Sequence, residues 1–235
     1  MTTRPDGRTS GGTLRPLSCE LSPLQRADGS ALWKAGSTHV LAAVYGPIAP
    51  QRPTVEQQDA VVISIIFTGH REYESMLQKV LEGCISNSRM QYSRCVIEIV
   101  LQTINDDGSV LSCALHAIVA ALMDAGICMN RLPLATTIAV VGSTGALLLD
   151  PSLEEEEDDD QTSMTLITSN TEKEKLLGSI VTNGGGTTKK LLSLEQLLAC
   201  QEASSRASPA VLAFLRLAME QKVTRQSKTL ILASN

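Results

Sequence analysis

Apolar and polar positions along the chain follow two periods. Thr38 to Tyr45 (THVLAAVY) and Val61 to Phe67 (VVISIIF) are short, nearly continuous apolar runs. Their length and β-branched content predict strands. The first is stopped by Gly46-Pro47 and is expected to be buried on both faces. Cys95 to Ile104 alternates and predicts another strand, followed by a turn at Asn105-Asp106-Asp107-Gly108. Leu134–Val141, Ala146–Leu149, Met164–Thr168 and Leu176–Val181 read as further strands. Between them the period changes. Over Arg71 to Asn87, Met76, Val80, Leu81 and Cys84 share one face at helical spacing. Leu111 to Ala125 is apolar all round and ends at Gly126, which predicts a helix in the centre of a domain.

The ends read differently. Asp28-Gly29 and Gly36 punctuate two short strand-like stretches after Leu17. Residues 1–16 are polar, lack the apolar stretch of a secretory signal, and are expected to be a disordered extension. Gln51–Gln58 is a polar loop, and Asn183-Gly184-Gly185-Gly186 another. Ser193 with Gln196 forms a capping box opening a helix, and Ser208-Pro209 is an N-cap followed by proline. The C-terminal stretch is therefore two helices or one kinked helix, with a flexible tail over 226–235. The order of elements predicts a single compact domain over residues 17–225, mixed α/β or α+β.

Composition narrows the class. Aromatic residues are 3% of 235, so Leu, Ile, Val and Ala must build the core. No apolar run approaches the ~20 residues that cross a bilayer. The six cysteines (Cys19, Cys84, Cys95, Cys113, Cys128, Cys200) include no C-x-x-C pair and are expected to be reduced and mostly buried. The three histidines (His39, His70, His116) lack zinc-type spacing, and His39 and His116 read as partner-facing or core residues. Net charge is −5, but the seven consecutive acids Glu154–Asp160 supply −7, leaving +2 on the remainder. The body is close to neutral, so any RNA contact must come from a local patch or a neighbour. The acidic run itself reads as a solvated loop. Gly184 to Lys190 does not fit the G-x-x-x-x-G-K-[ST] phosphate loop.

Three blocks carry a more specific signal. The first is Arg26-Ala27-Asp28-Gly29-Ser30 followed by Gly36-Ser37-Thr38-His39-Val40-Leu41-Ala42-Ala43-Val44-Tyr45-Gly46-Pro47. The second is Val100-Leu101-Gln102 through Asn105-Asp106-Asp107-Gly108, with a helix ending Ala121-Leu122-Met123-Asp124-Ala125-Gly126-Ile127. The third is Leu148-Leu149-Asp150-Pro151. In order and at these distances they resemble the ribonuclease PH superfamily over roughly residues 18 to 222. Within it, the Cys19-Glu20 start and the short Arg26–Ser30 turn resemble one type of RNA exosome core subunit.

The resemblance implies the ribonuclease PH fold, related to ribosomal protein S5 domain 2, in a six-subunit ring threaded by RNA. Its partners would be paralogous ring subunits, RNA-binding cap subunits and RNA, with no membrane, and a homodimer in isolation. Residence would be nucleus and nucleolus, and also cytoplasm. Active relatives carry out phosphorolysis, which needs arginine to hold phosphate and carboxylates to hold a divalent cation. The arginine lies after the D-G turn in a D-G-G-T-R-T pattern. Here the stretch is Asp107-Gly108-Ser109-Val110-Leu111-Ser112, with Leu111 at the arginine position, and a second family arginine falls at Gln78. The resemblance thus gives a degenerate phosphate site at Gln78, Ser109, Leu111 and Ser112. A vestigial metal site would comprise Asp150, Glu156 and Asp160, with Ser163 where a second ligand should precede Met164. Arg71, Lys79 and Arg94 are candidates for RNA backbone contacts. The expected function is a non-catalytic ring subunit in 3′-to-5′ RNA processing, needing no cofactor. Two alternatives stand beside it. One is a phosphate-dependent 3′ exoribonuclease using Mg²⁺ or Mn²⁺, alone or as a homodimer. The other is a self-assembling nucleic-acid binder outside the exosome.

Overall fold

A computed structural model describes residues 4–49, 61–85, 95–171, 176–183 and 192–233. The strands are β1 (Leu17–Leu21), β2 (Gly29–Ala35), β3 (Thr38–Ile48), β4 (Val62–Thr68), β5 (Val96–Asn105), β6 (Pro133–Val141), β7 (Leu147–Leu149), β8 (Gln161–Ser169) and β9 (Leu176–Asn183). The helices are α1 (Glu74–Cys84, after a 3-10 turn at Arg71–Tyr73), α2 (Val110–Asp124), α3 (Leu153–Glu156) and α4 (Leu194–Ala233).

One sheet has the order β1-β2-β3-β5-β4, antiparallel except for β4 beside β5. That parallel pair is joined by the crossover through α1, as parallel strands require. The second sheet, β7-β6-β8-β9, is antiparallel throughout. Helix α2 lies between the sheets, packing on β2 and β3 on one side and β6 on the other. This explains its sequence: every residue from Val110 to Leu122 is buried, so no polar face is needed. α4 covers the far side of β6 and β8 and also meets β1. β6 and β8 are thus buried on both faces along nearly their whole length. β3, expected to be the same, is only half-buried at His39, Leu41 and Tyr45. The main core draws on both sheets, from Trp33 and Phe67 to Leu134 and Ile167, and a smaller cluster around Ile138, Met164, Leu166 and Cys200 lies between the second sheet and α4.

Close approach of β2 to α2 needs Gly29. A Cβ there would overlap the Ala121 carbonyl oxygen and the Ala125 amide nitrogen, and would lie 2.6 Å from the Ala125 methyl. Two of these three are backbone that cannot swing aside. Gly29→Ala is therefore expected to cost about 1–3 kcal/mol, the usual range for overpacking. Urea unfolding reads this as a lower midpoint, and an unchanged midpoint would refute the packing claim.

The expectations for residues 4–16, for the C-terminal tail and for the acidic run are corrected, and of the two C-terminal alternatives the single helix stands. Residues 4–16 are not a disordered extension: Arg4 is 7% exposed and Arg15 4%, and Leu14 packs against the core. The C-terminal stretch is one helix of 40 residues that continues through most of the expected tail, to Ala233. It tolerates Pro209 because Pro209 and Ser205, whose carbonyl loses its helical donor, both lie on the exposed side. The Ser193–Gln196 capping box does open it, with reciprocal bonds of 2.8 and 3.2 Å. The acidic run is not uniformly solvated either: Glu154–Glu156 belong to α3, and Glu155 is 4% exposed. The expected loops at 51–58 and 184–186, the helix stop at Asn87, and Arg94 lie outside the described residues.

Candidate functional site

The turn after β5 delivers α2 to the start of α3. Gly108 has φ +81°, and a Cβ there would lie 2.6 Å from the Leu153 nitrogen. Ser109, also left-handed at φ +53°, precedes the first residue of α2. Its amide donates to the Glu156 carboxylate (3.0 Å) and its hydroxyl to the Pro151 carbonyl (3.0 Å). Ser112 Oγ donates to the Ser109 carbonyl (2.8 Å). These bonds join two stretches 47 residues apart.

Beside them is a cavity of about 90 Å³, walled by His70, Tyr73, Asp106, Ser109, Leu111 and Glu156 and floored by Thr137, Thr165 and Thr182. Its charge is what matters chemically. Among the described residues no arginine or lysine lines it; the charged groups among them are Asp106 and Glu156, with His70 Nε2 3.8 Å from Asp106. Burial pushes the Glu156 carboxyl up to about 7, Asp106 adds to the rise, and the Ser109 amide opposes it. Such a wall repels a multiply charged phosphate. Leu111 is 4% exposed and contributes only apolar surface.

Of the residues expected from sequence, Ser109, Leu111, Ser112 and Glu156 are brought together. Gln78 is not: it is half-buried on α1 and donates to Glu82 (2.9 Å). The expected grouping of Asp150, Glu156 and Asp160 is not assembled. Asp150 is 6% exposed and paired with Arg15 at 2.8 Å. Burial alone would raise its carboxyl, but the Arg15 bonds hold it below the usual carboxylate range. Asp160 instead accepts from the Ser143 amide (2.9 Å), bracing the turn between β6 and β7. Among the described residues no three His, Cys, Asp or Glu side chains stand together as a metal site. Asp150, Glu156 and Asp160 therefore do not together form the expected cation site. Arg71 and Lys79 are exposed and do not line the cavity.

Sequence reasoning missed His70, Tyr73 and Asp106, which reach the cavity from two different places, the turn before α1 and the turn after β5. It also missed Arg4, Arg8 and Arg15, whose only signal is three cations in a segment with one acid, Asp6. His116 is a core residue. Its Nε2 accepts from the Ala135 amide (3.2 Å), its ring lies 5.0 Å from that of Trp33, and burial pushes its pKa down to about 4. A larger cavity, about 590 Å³ between α4 and the end of β8, is lined by Leu134, Leu176, Leu198 and Pro209, with Glu202 its one charged group among the described residues.

Comparison with known proteins gives a consistent result. Residues 13–128 match the 3′ exoribonuclease family, domain 1, and residues 131–207 match domain 2 of the same family. The exosome complex exonuclease RRP46 homolog of Arabidopsis thaliana is 38% identical over 158 residues, 63% of this chain and 64% of the relative. The chain thus spans just under two thirds of that relative's length. The crystal structure of rice (Oryza sativa) Rrp46 superposes with a TM-score of 0.82 at 32% identity, covering 92% of this chain and 100% of that one. An archaeal exosome core subunit superposes with a TM-score of 0.72 at 21% identity, covering 90% of each chain, a likeness of fold.

Proposed function

The chain belongs to the 3′ exoribonuclease family and has the ribonuclease PH fold, and from that premise we propose that it is a ring subunit of an RNA exosome, of the RRP46 type, with no phosphorolytic activity of its own. One observation carries the second half of this reading. The cavity where the family's chemistry would sit presents Glu156, Asp106 and the apolar Leu111, and among the described residues no arginine or lysine. Phosphorolysis needs a guanidinium or metal to hold phosphate and to stabilise charge on the transferring group. A wall that repels the nucleophile removes the reaction while leaving the fold free to serve assembly.

In this reading the chain's partners are paralogous ring subunits, RNA-binding cap subunits and the RNA threading the ring. It would act in the nucleus, nucleolus and cytoplasm, and would bind neither Mg²⁺ nor Mn²⁺ as a cofactor. The alternative is a 3′ exoribonuclease active alone or as a homodimer. It is favoured by the Arabidopsis relative, which is called an exonuclease.

The two readings part in one assay. Purified chain is incubated with an end-labelled, 3′-extended RNA, with and without phosphate and with Mg²⁺ or Mn²⁺. The expected result is release of nucleoside diphosphate no higher than in the protein-free control. Phosphate-dependent release would overturn the non-catalytic reading and leave family membership untouched.

A further inference from the structure

The turn at 106–109 and helix α3 form the acidic wall of the cavity, and both are short. A four-residue helix is not stable by itself. Segment 4–15 ties the two together. The Arg4 guanidinium holds Glu155 through two nitrogens (2.8 and 2.6 Å) and donates to the Leu149 carbonyl (3.0 Å). Arg8 donates to the same Leu149 carbonyl (3.1 Å) and to that of Asp150 (2.7 Å). Arg15 reaches the opposite side, donating to the carbonyls of Asp107 (2.7 Å) and Gly108 (3.1 Å) and to the Asp150 carboxylate (2.8 Å). Gly11 adds a backbone bond, its carbonyl accepting from the Leu149 amide (2.7 Å).

The geometry of α3 makes this tie consequential for the cavity. Glu155 also accepts from the Ser152 amide (3.0 Å), so one buried carboxylate anchors the helix at both ends of its first turn. Successive residues on a helix are turned by about 100°. With Glu155 held inward against Arg4, the next residue, Glu156, is turned toward Ser109. Its 3.0 Å bond to the Ser109 amide follows.

We propose that segment 4–15 is a strap that sets the shape of this cavity, and that Arg4 and Arg8 are positioning residues for Glu156. Neither arginine lines the cavity. Arg4 acts through Leu149, Asp150 and Glu155, and Arg8 through Leu149 and Asp150. The acidic wall is then held by three stretches far apart in sequence, 4–15, 106–109 and 149–156, and releasing the first opens it while the sheets stay intact. This inference stands apart from the ring reading, since it concerns the chain alone.

Amide hydrogen exchange on the full chain tests it, with Arg4→Met and Arg8→Gln as variants. In Arg4→Met the amides of Ser109, Glu156 and Glu157 are expected to exchange at least about tenfold faster, as for a local opening, while those of β3 and β5 keep their rates. Arg8→Gln, which leaves Glu155 paired, is expected to give a smaller acceleration at the same three amides. Arg8→Gln alone decides the matter if Arg4→Met does not fold. Unchanged exchange at Ser109 would overturn the proposal. So would equal acceleration across β3 and β5, because the arginines would then support the fold in general and not the cavity.

Discussion

Replacing Arg15 with methionine is expected to lower stability at pH 7 by about 3–5 kcal/mol, the range for removing one partner of a buried ion pair. The size follows from what is left behind. Arg15 is 4% exposed, and its guanidinium bonds the Asp150 carboxylate (2.8 Å), Thr38 Oγ1 (3.1 Å) and the carbonyls of Asp107 and Gly108 (2.7 and 3.1 Å). Methionine fills much of the volume and supplies none of these bonds. Asp150, 6% exposed, would retain only the Arg15 backbone amide (3.0 Å) as a direct donor to its carboxylate. A buried charge without its counter-ion is what makes the loss large.

The same logic predicts a partial rescue. Asp150 has φ +53°, a left-handed conformation that asparagine tolerates and a branched side chain does not. Arg15→Met combined with Asp150→Asn removes the orphaned charge and keeps the backbone. The double variant is expected to be more stable than Arg15→Met alone. Urea unfolding of the two singles and the double measures the coupling, and additive losses would show that the pair does not act as a unit. The acid behaviour has a definite sign. Arg15 depresses the Asp150 carboxyl, so the stability it confers is present above the unfolded aspartate pKa and is lost as pH falls through the folded one. In Arg15→Met that loss at low pH is expected to disappear.

How far this network was legible from sequence is a question of range. Local patterns carried the scaffold. The apolar run at Leu111–Ala125, closed by Gly126, became the buried helix α2, and the alternation at Cys95–Ile104 became β5. The D-G turn placed Ser109, Leu111 and Ser112 because resemblance marks the place where that turn meets a ligand in active relatives. The acids beyond it were a different matter. Glu154–Asp160 reads as seven solvated charges; Ser152-x-x-Glu155 is a capping-box pattern, but nothing local says that Glu155 meets a buried arginine. Its partner Arg4 lies 151 residues away, and the Arg15–Asp150 pair spans 135. Side chains that meet only after two sheets have packed leave no periodic trace. Each of these arginines, met singly, is an ordinary polar residue in a terminal segment. His70 and Tyr73 were hidden for the same reason. Their element joins β4 to α1, and the surfaces they face arrive with the second sheet.

Two buried groups set opposing slopes of stability against pH, and the larger belongs to His116. Burial pushes its folded pKa to about 4 from 6.5. The folded state keeps the ring neutral because Nε2 must accept from the Ala135 amide (3.2 Å). The unfolded state binds a proton first, so stability is fully present above about pH 6.5 and falls as pH drops toward 4. At 1.36 kcal/mol per pKa unit the loss is about 3 kcal/mol. Glu156 works the other way. Its folded pKa of about 7 lies above the ordinary glutamate value of 4.5, so the folded state binds the proton first and stability rises as pH falls from 7 to 4.5. The gain is smaller, because Glu156 is only half-buried and keeps some contact with water. The wild-type chain is therefore expected to lose less than 3 kcal/mol toward acid, the two terms partly cancelling. Substitution separates them. His116→Gln keeps an acceptor for Ala135 and removes the titration, so its stability is expected to rise between pH 7 and 4.5. Glu156→Gln keeps an acceptor for Ser109 and is expected to fall more steeply than wild type over the same interval. Urea unfolding at pH 7 and 4.5 reads both, and parallel behaviour of His116→Gln and wild type would show that His116 reaches water in the folded state.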